Sequence, residues 1–123
     1  MFVGVLRLWL RIPEAHSLKQ KRKVVRSFKD RVRSKLRASV AEVGGLDDHQ
    51  RAIVAVAVVS NDARRVDELL TAAASMAGAL REAQLVDQAK ELLSFGTEGR
   101  EVAAGDSNDP WLTGQVFLDR EDT

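Results

Sequence analysis

The sequence of 123 residues contains no cysteine and has only two prolines and two histidines. Without cysteine there is no disulfide framework, no thiolate nucleophile and no cysteine-based zinc or iron–sulfur site. These absences exclude a disulfide-stapled secreted domain and a thiol enzyme. They are consistent with a reducing cytoplasm.

Long hydrophobic runs are also missing. The apolar opening, residues 1–10, contains Arg7, lacks a basic segment ahead of it and runs into Pro13 without a small-residue cleavage site, so we expect no signal peptide. No stretch reaches the roughly 18 uncharged apolar residues that span a bilayer. We therefore expect a soluble cytoplasmic protein with no membrane partner.

The hydrophobic pattern changes period along the chain. In residues 2–12, apolar residues alternate as in a strand, and Pro13 ends this pattern. After the N-cap candidate Ser17, apolar residues recur at steps of three and four, as in an amphipathic helix. A second helix, carrying Val66 to Leu80, follows the N-cap candidate Asn61-Asp62. The pattern predicts strands over 2–12, 39–43 and 52–59 and a first helix over 17–36.

Residues 84–95 have apolar positions that fit a helical period, but a fourth strand completes the order strand–helix–strand–strand–helix–strand. We choose the strand and predict an α+β fold, a ferredoxin-like split βαβ sandwich with two helices on one face of a four-stranded antiparallel sheet. The domain covers residues 1–96. Residues 97–123 are an acidic linker and C-terminal tail, in which Trp111–Leu118 is a candidate for docking as a short strand.

The formal net charge of +1 hides a sorting of charge along the chain. Residues 1–37 carry 12 Lys or Arg and 2 Asp or Glu, whereas residues 38–123 carry 7 and 16. On a helical wheel, one sector of about 80° beside the apolar stripe of the first helix holds six basic residues. We call this set the basic ridge: Lys19, Arg22, Arg26, Lys29, Arg33 and Arg37.

The basic ridge spans about 27 Å at 1.5 Å rise per residue. Its five neighbouring like-charge pairs cost about 1–2.5 kcal/mol of helix stability, so a compensating anion is expected. One explanation is pairing with acids of the same chain, such as Asp67, Glu68 and Glu82. The explanation that we favour is a polyanion whose regularly spaced phosphates release counterions along such an array.

Two further expectations concern basic side chains elsewhere. Lys21 falls within the apolar stripe of the first helix, and we expect its ammonium group to snorkel to water. Arg7, Trp9 and Arg11 should lie on the open face of the sheet, where an aromatic ring between guanidinium groups stacks unpaired bases. An equal alternative is an apolar patch on that face, covered by a second subunit or by Trp111–Leu118. A homodimer formed through this face would make the protein a structural or regulatory homo-oligomerisation module.

Catalytic signals are weak. Asp47, Asp48 and His49 are adjacent turn residues that seldom converge on one metal ion, and Ser60 is better explained as part of a helix cap because no histidine is placed to activate it. We predict no enzymatic activity, no catalytic residue, no metal and no cofactor.

Four segments in order carry a family resemblance: SLKQKR at Ser17–Arg22, VAEV at Val40–Val43, QRA at Gln50–Ala52 and VVSNDAR at Val58–Arg64. Through them the chain, from about residue 2 to Gly96, resembles the YlxP-like family, a bacterial domain of unknown function. The resemblance implies a ferredoxin-like fold and no known enzymatic activity. It also implies a gene neighbourhood that contains translation-initiation, transcription-antitermination and ribosome-maturation factors. It makes RNA or a ribosomal subunit the expected partner, and it favours a strand for residues 84–95.

Overall fold

The computed structural model of the chain describes residues 1–96. The predictions made for residues 97–123, including Trp111–Leu118, lie outside the described residues. Three strands and two helices agree with the sequence pattern to within a few residues, and residues 84–95 do contain a strand. The elements are β1 (Phe2–Arg11), α1 (Leu18–Leu36), β2 (Ser39–Gly44), β3 (Arg51–Ser60), α2 (Ala63–Gly78) and β4 (Gln84–Ser94).

The four strands form one antiparallel sheet in the order β2-β3-β1-β4. β1 pairs with β3 along its whole length, from Phe2 opposite Ser60 to Arg11 opposite Arg51. Its pairing with β4 shifts register between Trp9 and Leu10. Each helix connects two parallel strands with a third strand between them, so the fold is the ferredoxin-like split βαβ sandwich that was predicted.

Capping residues explain where the helices begin and end. The Ser17 Oγ accepts a hydrogen bond from the Gln20 backbone N–H at 3.1 Å, and an Asp62 carboxylate oxygen accepts one from Arg64 N–H at 3.0 Å. Both are N-cap contacts of the kind expected from the sequence. α1 ends at Leu36, and the left-handed backbone of its C-cap Arg37, with φ of 53°, turns the chain toward β2.

Both helices cover the same face of the sheet. Alternate residues of the central strands, such as Leu6, Leu8 and Val56, are buried against Phe28 of α1 and Leu70 of α2. The opposite face has no covering element among residues 1–96 and is called the open face below. No helix in this part of the chain is long and apolar enough to cross a membrane.

α2 approaches the sheet closely at Gly4 of β1. A Cβ atom placed there would overlap Val66 Cγ1 and lie 2.7 Å from Leu70 Cδ1, so α2 rests directly on the β1 backbone. A side chain at this position would push the helix away from the core.

We predict that Gly4→Ala lowers the free energy of unfolding by about 1–3 kcal/mol through overpacking. Gly78 at the end of α2 is the control, because a Cβ there has no neighbour within 4 Å. Gly78→Ala should be neutral or should stabilise the protein by up to about 1 kcal/mol. Urea unfolding followed by circular dichroism measures both, and a Gly4→Ala protein as stable as the parent would contradict this packing.

Candidate nucleic-acid interface

The surface of α1 is divided lengthwise into a buried stripe and the basic ridge. The stripe consists of Lys21, Val25, Phe28 and Val32. Five members of the ridge are exposed and Lys29 is half-buried. The structure thus places five of the six predicted residues in one row on successive turns of α1, and the sixth, Arg37, lies just past the end of the helix as its C-cap.

The basic ridge runs beside β2, which is an edge strand of the sheet. Arg33 shows this orientation, because its Nη2 donates a hydrogen bond to the Val40 carbonyl oxygen at 2.9 Å. The opposite flank of α1 carries Val24 and Ser27, which line a hollow together with Glu82 from the segment after α2. The ridge therefore faces away from α2.

The acids of α2 do not neutralise the ridge. Asp67 pairs with Lys90 of β4, and the Glu68 carboxylate lies 3.7 Å from the Arg65 guanidinium on the same helix. Within residues 1–96, the salt bridge that reaches the ridge joins Arg33 to Asp30 at 3.7 Å, and both side chains are about half exposed. Such a pair contributes little to stability. The other five ridge cations have no acidic partner in the described part of the chain.

A shallow groove lies at the N-terminal end of the ridge. Its lining contains no acidic residue, and the first turn of α1 also lacks acids. The unpaired N–H groups and the positive end of the helix dipole add to the positive potential there. Lys23, which the helical wheel leaves outside the ridge sector, joins the surface at this point. The lining residues are Ser17, Lys19, Gln20, Arg22, Lys23 and Arg26.

The prediction for Lys21 was wrong. Its ammonium group does not reach water: the residue is 0% exposed, and Nζ donates to the backbone oxygens of Gly45 at 2.7 Å and Arg51 at 3.2 Å. Nζ also lies 2.8 Å from the Glu42 Oε2. The side chain is enclosed between α1, β2 and the β2–β3 loop, and these polar partners replace the water.

The contact between Lys21 and Glu42 is an ion pair with poor hydrogen-bond geometry. Oε2 of Glu42 is buried and accepts no well-directed hydrogen bond, so its attraction to the ammonium is chiefly electrostatic. The two carbonyl contacts are directional and join both ends of the β2–β3 loop to α1. Gly45, with φ of +69°, begins that loop in a conformation that glycine adopts without strain.

The other three predicted site residues lie on the open face. Arg7 and Arg11 are exposed and Trp9 is half-buried. The Arg7 guanidinium carbon is 5.4 Å from the Trp9 ring centroid, a cation–π distance, and a guanidinium nitrogen of Arg7 is 3.8 Å from Glu91. The sheet separates these residues from the helices, so the structure does not join them to the basic ridge.

Two of the residues considered above for metal binding or catalysis, Asp48 and Ser60, contact neighbouring backbone groups. Asp48 Oδ1 accepts a hydrogen bond from the Gln50 backbone N–H at 2.9 Å, and its Oδ2 lies 3.9 Å from Arg51 Nε. Ser60 Oγ accepts from the Asp62 backbone N–H at 3.1 Å, next to the start of α2. Residues 1–96 contain no cluster of three or more histidine, aspartate or glutamate residues that could hold a metal ion.

The order and pairing of the strands define an α+β sandwich of the ferredoxin-like class. A de novo designed protein with a ferredoxin fold, solved by solution NMR, is similar at a TM-score of 0.44 and 12% identity, covering 80% of this chain and 95% of the designed one. The chain matches the DUF503 family, described as a protein of unknown function, over residues 3–90, and it belongs to that family. No curated protein matches it.

We predict that Lys21→Met lowers the free energy of unfolding by about 3–5 kcal/mol, because it leaves the Glu42 carboxylate buried without its cation. The two loop carbonyls also lose their donor. The double variant Lys21→Met/Glu42→Leu should recover part of this loss, since it removes the uncompensated charge. Urea unfolding measures both variants, and a single-variant loss below about 1 kcal/mol would show that the buried pair contributes little.

Proposed function

We propose that this protein is a non-catalytic, cytoplasmic RNA-binding factor that assists ribosome maturation or translation, as the resemblance to the YlxP-like family implies. The basic ridge of α1 is its RNA-binding surface. One observation carries the proposal: five of the six ridge cations have no acidic partner among residues 1–96, although α2 and β4 supply acids that pair elsewhere.

The shape of the ridge favours an extended polyanion over a small anion. Its five helical charges, from Lys19 to Arg33, follow one another over about 21 Å of α1, and Arg37 lies just past the helix end. A phosphate chain laid along it replaces the repulsion between neighbouring cations with attraction and releases counterions. Contacts of this kind recognise the backbone and not the base sequence, so the ridge positions RNA without reading it.

The acidic remainder of the chain restricts where RNA binds. Residues 38–96 carry nine acids against five basic residues, so this part of the chain is net negative and disfavours phosphate except beside local pairs of arginines. The edge strand β2 borders the ridge on one side, and the hollow containing Glu82 lies beyond the other flank of α1. RNA is therefore expected to bind in one orientation, along the helix.

We predict that Arg22→Glu/Arg26→Glu weakens binding of a labelled single-stranded RNA at least about tenfold, since two phosphate contacts become repulsive. Arg31→Glu/Lys35→Glu is the matched control. It changes the net charge by the same amount, also replaces an exposed pair four residues apart on α1, and lies on the other flank. Its loss should stay below about threefold. Fluorescence anisotropy at fixed salt gives both affinities.

Circular dichroism checks that α1 stays folded in both variants. Equal losses in the two variants would show that net charge and not the ridge governs binding. Unchanged affinity in the ridge variant would contradict the proposal outright.

A further inference from the structure

A second groove lies on the open face of the sheet, where β1 and β3 meet the β2–β3 loop. Its volume is about 520 Å³, within the range of about 300–1,000 Å³ that small-ligand sites occupy. Its lining includes the side chains of Trp9, Arg11, Asp48, Arg51, Ile53 and Val86. The groove lies on the opposite face of the sheet from α1, so a ligand in it does not contact the basic ridge.

Two arginines lie side by side on neighbouring strands at this groove. Arg11 and Arg51 are direct partners in the β1–β3 register, and like charges directly opposite on antiparallel strands are destabilising. The Arg51 Nε lies 3.9 Å from Asp48, an exposed and weak pair, while Arg11 has no acidic partner among residues 1–96. An anion bound between the two guanidinium groups would remove the repulsion, and phosphate matches their paired donors.

An aromatic surface lies one step along the same strands. Trp9 and Ile53 form the next register pair on the open face, and the exposed Val86 extends this apolar wall on β4. Arg7 holds the indole from outside the groove, with its guanidinium carbon 5.4 Å from the ring centroid. A planar base can pack against this wall, which consists of the indole ring of Trp9 and two aliphatic side chains. Aromatic side chains stack on bases in the same way in the binding sites for single-stranded nucleic acids.

The spacing of the two parts corresponds to one nucleotide. Residues i and i+2 of a strand are about 6.8 Å apart, which is the reach from a base to its own 5′-phosphate. We propose that the groove binds a single nucleotide unit, with the base against Trp9 and Ile53 and the phosphate between Arg11 and Arg51. The unit is either a free nucleotide or one residue of an RNA strand.

The β2–β3 loop, which borders the groove, is fixed in position by Lys21 without any ligand. Lys21 donates to the backbone oxygens of Gly45 and Arg51, and both residues line the groove. A wall fixed in this way costs less to order on binding. Asp48 is the acid of the lining, and it leaves the two arginines with one positive charge in excess.

The test uses the intrinsic fluorescence of Trp9. The sequence has two tryptophans, so Trp111→Phe in the full chain makes Trp9 the sole indole. AMP should quench or shift this fluorescence saturably, whereas adenosine and ribose 5-phosphate, each carrying half of the ligand, should need at least about tenfold higher concentrations. The same titration is made with a tetrauridylate. If the tetrauridylate changes the Trp9 fluorescence and AMP does not, the nucleotide bound in the groove belongs to an RNA strand.

The variant Arg11→Gln/Arg51→Gln should weaken the AMP or tetrauridylate response at least about tenfold, because two charge-assisted contacts are lost. Arg31→Gln/Lys35→Gln on the far face of the sheet is the control and should leave it unchanged. The ridge variant Arg22→Glu/Arg26→Glu should also leave the AMP response unchanged, so a failure of this site and a failure of the ridge are distinguishable.

Two results would overturn the inference. One is the absence of any saturable response to AMP and tetrauridylate. The other is a dimer in sedimentation whose Trp9 fluorescence is shielded from acrylamide without nucleotide, since a second copy would then cover the open face.

Discussion

The buried ammonium group of Lys21 sets the position of α1, and much of the molecule follows from it. A charge that is withdrawn from water costs several kcal/mol unless other groups replace its hydration. Here Glu42 and the carbonyls of Gly45 and Arg51 do so, at 2.7 to 3.2 Å. These three contacts hold the helix in one rotation and one axial position against β2 and the β2–β3 loop. We interpret the contact as the device that selects this register from other ways of packing an amphipathic helix on the sheet.

Both candidate binding surfaces depend on that register. With Lys21 turned toward the β2–β3 loop, the centre of the basic ridge is about one third of a turn away around α1, and the ridge borders β2, where Arg33 contacts the Val40 carbonyl. The acids of α2 lie beyond the other flank of α1. The same ammonium group holds the loop that borders the groove of Arg11 and Arg51 on the open face. A single buried cation thus separates the exposed cations from the acids and shapes a second site across the sheet.

Local features were readable from the sequence, and distant pairings were not. Helical periodicity and the caps at Ser17 and Asp62 predicted both helices, because those signals act within one turn. β4 was predicted from element order, since an edge strand that is exposed along most of its length has little alternation. The partners of Lys21 are 21, 24 and 30 residues away along the chain, and the pairing of Arg11 with Arg51 depends on the β1–β3 register. Neither is present in any local pattern.

The central claim is that the basic ridge binds the phosphate backbone of RNA. The most direct measurement is the affinity of the unaltered protein for a single-stranded RNA as a function of salt concentration. Six phosphate contacts predict a slope of about −4 for log K against log salt, since each contact contributes about −0.7 with single strands. A slope near zero, or no binding at low salt, would contradict the claim.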